Sequence, residues 1–302
     1  MRSKKTIIGA IAVSLASIMW GFDGVVLTPR LYNLNVVYVV FVLHLIPFLI
    51  MNIFLHKEYR HLKSFTSQDY LIFFLVALLG GAIGTLAIVK ALFLIDFRHL
   101  TVVVLLQKLQ PVFAIALAVI LLKEKLKNKF ILWASVAVVA SYFLVFGFNL
   151  PDFNTGANTI YAALYSLLAA FSFGCSTVFS KKILLKYSFH TGTFYRYGFT
   201  TLIMLIFVSF AGKFNQFSVT TGENWMFFLI IAFTTGSGAI FLYYYGLVRI
   251  RAIIATICEL FFPISAIFFD YIVNGKILSP VQWAAAVIMI FSIIKLNEQN
   301  SK

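Results

Sequence analysis

Charge is what this chain has least of. Asp, Glu, Lys and Arg supply 11% of its 302 residues, where soluble proteins carry ~25%. So few charges could not coat a soluble globule of this length. An apolar share of 62% and a mean hydropathy of +0.97 turn the surface toward lipid instead. Acidic residues are scarcer still, 10 against 24 basic ones, for a net charge of +14. Gathered in one patch, that excess would suggest nucleic acid. The basic residues fall in short clusters between apolar runs, so the excess reads as membrane topology and a nucleic-acid partner is excluded. Cysteine is limited to Cys175 and Cys258, both inside apolar runs, which excludes a disulfide scaffold. Metal-ligand spacings, a Walker loop, a nucleophile elbow and a nucleotide fingerprint are missing too. No metal, no cofactor and no enzyme chemistry are therefore expected. Transport would be secondary: uniport, exchange, or coupling to protons or sodium.

What is abundant is apolar sequence of spanning length. A span needs ~20 mostly apolar residues, because the hydrocarbon core is ~30 Å thick and a helix rises ~1.5 Å per residue. Ten runs qualify: 8–28, 36–55, 70–95, 100–122, 130–148, 159–180, 191–211, 224–247, 252–273 and 279–296. Met1-Arg2-Ser3-Lys4-Lys5 ahead of the first run resembles a signal sequence. With nine more runs behind it, an uncleaved first helix is the better reading. Gaps as short as Asp96-Phe97-Arg98-His99 and Arg249-Ile250-Arg251 make neighbouring helices antiparallel. Assigning the loops alternately to two sides leaves Arg30, Arg98, Lys213 and Lys276 on one side and 17 basic residues on the other. Cytoplasmic loops carry the excess. A multi-pass protein of the cytoplasmic membrane with both termini inside the cell is expected.

The chain also matches itself. At a shift of 152, Gly84 meets Gly236, Ile88 meets Ile240, Gln107 meets Glu259, Pro111 meets Pro263 and Ala114 meets Ala266. At 153, Gly21 meets Gly174. Each half holds five runs, an odd number, so the second must enter the membrane upside down. That is an inverted repeat, an architecture of transporters that work by alternating access. The polar stretch 149–158 is the natural seam, giving halves of 1–150 and 151–302.

Ten spans in two five-helix repeats, Trp20-Gly21 in the first run, a proline in the fourth and ninth, and the acidic turn Leu121-Leu122-Lys123-Glu124-Lys125-Leu126 resemble the drug/metabolite transporter superfamily, EamA type. The resemblance covers nearly the whole chain. It departs at Asn274-Gly275-Lys276, where a glutamate is usual. It implies a central cavity lined by the first four helices of each repeat, with the fifth and tenth peripheral, and it favours efflux.

A charge at mid-bilayer costs at least ~2.5–3.5 kcal/mol on insertion scales, so each one needs a reason. Glu259 lies deep in the ninth run on a face with Ala255, Pro263 and Ala266. It is read as a substrate or proton-coupling carboxylate, against a structural ion pair with Lys108 or Arg196. Lys108 is too deep in the fourth run to snorkel out easily and is expected in the cavity. Arg196 can fork onto a carboxylate, whether an anionic substrate's or that of Glu259. Trp20 and Tyr243 complete the expected substrate site, set against the simpler packing role of most rings in a chain that is 17% aromatic. Asp23, His44, Lys90 and Gln107 are candidates for coupling or support. For His44 a packing role weighs more than a proton relay, and for Lys90 snorkelling weighs more than a cavity role. Gly84, Pro111, Gly236 and Pro263 are candidate hinges, since glycine eases bending and proline removes a helix hydrogen bond.

The expected function is a carrier of a small polar metabolite, such as an amino acid or related zwitterion, exported as a monomer or homodimer. Alternatives are an organic-cation or drug exporter, a choline-like importer, or, in another class, a membrane sensor or enzyme. Loops this short and plain argue against the last pair.

Overall fold

The computed structural model describes residues 4–95, 103, 106–107, 109–148, 157–275, 277 and 279–299. Lys108, most of the 149–158 seam, and the loop residues Arg98 and Lys276 lie outside the described residues. Those described form helices joined by short loops, with no strand among them. The rods are α1 (Lys4–Leu31), α2 (Val36–Lys63), α3 (Ser67–Leu94), α4 (Gln110–Leu121), α5 (Asn128–Phe146), α6 (Ala157–Leu184), α7 (Phe189–Phe210), α8 (Gly222–Arg249), α9 (Ala252–Asn274) and α10 (Pro280–Gln299).

Seven rods, α1–α3 and α6–α9, are long and apolar enough to cross a membrane. Segments Gln110–Leu121, Asn128–Leu144 and Pro280–Leu296 are apolar but shorter. α5 and α10 run to 19 and 20 residues, and α4 is a continuous helix from Gln110 on. In α4, Pro111 has no N–H to give the carbonyl four residues back, that of Gln107, and it stands in the first turn of the helix that runs from Gln110. The same event divides α9. Pro263 cannot donate to the Glu259 carbonyl, which instead accepts from Phe262 N at 3.0 Å, and the helix breaks between Cys258 and Phe261.

Other features also recur five rods apart. A capping box opens α3, where Thr66 and Asp69 satisfy each other's backbone N–H. Thr221 and Asn224 do the same for α8. Wider π-helical turns interrupt the same two rods, at Ala77–Ile83 and Ala232–Gly236. These turns contain or adjoin the expected glycine hinges, Gly84 and Gly236.

In lipid, burying apolar side chains between helices gains little, so close backbone approach and interhelical hydrogen bonds carry more of the packing. α1 packs on α8 and α9, while α6 packs on α3 and α4. α2 pairs with α7, and α5 with α10. Replacing each rod by the one five positions on leaves this pattern unchanged. Glycines set the crossings. A Cβ on Gly21 would stand 2.8 Å from the Phe262 carbonyl in α9, and one on Gly174 2.9 Å from the Gln110 carbonyl in α4. α5 and α10 touch mainly each other, leaving eight rods around the centre.

The lysine-rich ends are tied by polar contacts. Glu124, just past α4, accepts from the first backbone N–H groups of α9, Ala252 at 2.9 Å and Ile253 at 3.1 Å. Arg251 lies 3.7 Å from the same carboxylate. Lys181 of α6 donates to the Leu247 and Val248 carbonyls near the end of α8, at 2.8 and 3.1 Å. Lys186 is ion-paired to Asp69, and that hydrogen bond holds its ammonium above the ordinary lysine value.

Candidate functional site

The eight central rods enclose a cavity of about 270 Å³, close to the ~300 Å³ lower bound of ligand pockets. Its lining comes from α1–α4 with the turns just before α4, and from α6–α9; none of it comes from α5 or α10. Three polar groupings face it.

The first is centred on Glu259, at the break in α9. One carboxylate oxygen accepts from the Tyr243 hydroxyl at 2.7 Å and from Thr177 at 3.4 Å. The other accepts from the Gln110 amide. Thr177 and Tyr243 are themselves 2.9 Å apart. The Tyr243 ring leans on Trp20, with centroids 5.3 Å apart. Four helices thus converge on one carboxylate. Its cost of burial is offset by charge-assisted hydrogen bonds rather than by a cation.

The second is Arg196 in α7, 9% exposed. It donates to the Tyr244 hydroxyl at 3.2 Å and to the Gly80 carbonyl at 3.1 Å, and Tyr244 also meets Ser180 at 2.6 Å. An Arg196–Glu259 ion pair, one of the readings left open by the sequence, is not among the contacts of the described residues. The tyrosines stand between them, Tyr243 on the carboxylate and Tyr244 on the guanidinium. The third is Asp23 in α1, whose two oxygens accept from Thr235 of α8 at 3.0 Å and Thr28 at 3.2 Å. Asp23 opens a π-helical turn, Asp23–Leu27, and Thr235 lies within the one in α8.

His44 also lines the cavity, with Nδ1 2.8 Å from the Val40 carbonyl and its ring against Tyr197 at 5.4 Å. A carbonyl can only accept, so Nδ1 carries the hydrogen and Nε2 of the neutral ring is left as an acceptor. Gln107 and Pro111 lie on the wall as well, and Gly236 with them. Pro263 and Gly84 stand behind it, at the α9 break and the α3 turn. Lys90 is exposed and absent from the lining, the helix turning its neighbours Val89 and Ala91 inward instead. The sequence reading missed Gln110, Thr177, Thr28, Thr235 and Tyr244. The available signal was a polar residue on a glycine- or proline-marked face: Gln110 adjoins Pro111, and Thr235 adjoins Gly236.

The model of the EamA-like transporter family matches the chain over residues 7–146 and again over 160–297. This chain belongs to the EamA-like transporter family. A curated relative, the riboflavin transporter ImpX of Fusobacterium nucleatum subsp. nucleatum, is 56% identical over 97% of this chain and 98% of its own length. A protein of known crystal structure shares the fold at a TM-score of 0.70, with 14% identity over 99% of this chain and 98% of that one. As an EamA-like protein, the chain is a membrane transporter and not an enzyme.

Proposed function

We propose that this EamA-like protein carries riboflavin or a closely similar flavin across the cytoplasmic membrane. The observation that carries the reading is the 56% identity, end to end, with a protein named as a riboflavin transporter. Cavity chemistry supports it. A flavin is a neutral, flat heteroaromatic ring with hydrogen-bonding edges and a polyol chain. The wall offers Trp20, Phe173 and Tyr243 as flat surfaces, with amide, hydroxyl and carboxylate groups beside them. An amino acid would instead ask for a cation and a carboxylate side by side, and here Tyr243 on Glu259 and Tyr244 on Arg196 stand between the two charges. The amino-acid reading therefore gives way to a flavin.

The carrier works by alternating access between two inverted five-helix halves, 1–150 and 151–302, with both termini cytoplasmic. Support comes from the packing pattern that survives a five-rod exchange, the two separate matches to one family model, and the 17-to-4 split of basic residues. Pro111 and Pro263, with the π-helical turns next to Gly84 and Gly236, are the bending points of that motion.

Purified protein in liposomes should show saturable riboflavin flux, with direction read by loading flavin on one side only. Glu259→Gln should lower that flux at least about tenfold, because the amide loses the charge and one acceptor oxygen, so either Tyr243 or Gln110 loses the carboxylate oxygen it donates to. Wild-type protein that moves amino acids but no flavin would defeat the reading.

A further inference from the structure

The cavity is polar at two levels, and the levels differ in shape. Trp20 and Tyr243 lie at one level, against the Glu259 cluster, with Phe173 one helical turn from Thr177 on α6. Eight residues along α1 from Trp20 is Thr28, and eight back along α8 from Tyr243 is Thr235. At ~1.5 Å per residue both steps are about 12 Å, and Asp23 joins their ends by accepting from both hydroxyls. This second level has open room beside Gly24. A Cβ on Gly24 would meet nothing closer than Phe262 at 4.0 Å, and Gly236 is on the same cavity wall beside Thr235.

The geometry points to a split site, in which the Asp23–Thr28–Thr235 cluster binds the polyol chain and the Glu259–Gln110 pair binds the ring. This assignment rests on the flavin reading above and names which residues set its specificity. The Asp23 carboxylate accepts one hydroxyl on each oxygen, the same pair of bonds that two neighbouring hydroxyls of a polyol would give it. Chain hydroxyls can therefore replace Thr28 and Thr235 as donors, and the freed threonines can bond the remaining hydroxyls. The space beside Gly24 admits a slim chain next to them. At the other level, a ring with an N–H flanked by carbonyls needs an acceptor next to donors. Glu259 supplies the acceptor, and Gln110, which now donates to it, supplies a donor. Trp20 and Tyr243 offer the ring its flat contacts.

The test compares riboflavin with lumiflavin, which keeps the ring system and has a methyl group in place of the polyol chain. Binding of each is read by flavin fluorescence on detergent-purified protein, so that transport defects do not intrude. Wild type should bind riboflavin about tenfold or more tighter than lumiflavin, the scale of a lost charge-assisted hydrogen bond. Thr235→Val and Asp23→Asn should shrink that preference toward one, the loss falling on riboflavin. Glu259→Gln should weaken both flavins by similar factors and keep the preference. Thr235→Val removes only a hydroxyl, so it serves if Asp23→Asn does not fold. An unchanged preference in Thr235→Val, or a preference that collapses in Glu259→Gln instead, overturns the assignment. Wild type that binds lumiflavin as tightly as riboflavin overturns the polyol site alone. Wild type that binds neither defeats the flavin reading itself.

Discussion

Helices α1–α5 carry an amide, Gln107, four residues before Pro111, whereas α6–α10 carry a carboxylate, Glu259, four residues before Pro263. The backbone event is the same in both places, a proline that leaves the polar residue's carbonyl without its helical donor. The chemistry is not. The contrast repeats around the cavity: His44 stands 152 positions before Arg196, and Trp20 153 before Phe173. Outside the cavity the two sets differ again. Glu124 caps α9, while the turn after α9 reads Asn274-Gly275-Lys276 and carries no acidic residue. Glycines, prolines, capping boxes and π-helical turns are kept in duplicate because they shape the backbone. Side chains that meet the cavity are free to diverge, and a substrate without two-fold symmetry needs them to.

The largest effect should come from breaking a duplicated crossing. Gly21→Val and Gly174→Val each place a Cβ within 3 Å of a facing carbonyl, which forces two backbones apart. Both should abolish the monodisperse folded peak in size-exclusion chromatography. A fold that survives one and not the other would show that the two sets do not share a packing plan. Next come the proline breaks. Pro263→Ala and Pro111→Ala should change the maximal flavin flux several-fold and leave the flavin dissociation constant within about twofold. Lost affinity with unchanged flux would remove both from the hinge role. The smallest effect should be at the unmatched cap. Glu124→Ala takes the acceptor from two α9 backbone N–H groups and should cost about 1–2 kcal/mol, seen as a lower Tm in detergent. A Tm equal to wild type would mean that water caps α9 as well as Glu124 does.

The site was legible where physics makes a residue conspicuous. Asp23, Arg196 and Glu259 stand out because a charge in a spanning run is costly, and all three reach the cavity. Thr28, Thr177 and Thr235 did not stand out. A threonine in an apolar helix can satisfy itself on its own backbone, as Thr193 does with the Phe189 carbonyl at 2.8 Å, so its presence costs little and signals little. Lys90 shows the converse: it is as conspicuous as Arg196, yet helix phase sends it outward.

Hydropathy, the odd count of apolar runs in each half and the matched glycines and prolines belong to the chain alone, because lipid thickness and backbone sterics act on local sequence. Which polar groups would meet was decided only when four helices converged, since Gln110, Thr177, Tyr243 and Glu259 lie on separate rods and no spacing along the chain encodes their contact. The same holds for Arg196, where tertiary packing supplied tyrosine and backbone oxygens in place of the carboxylate that its charge alone would have suggested.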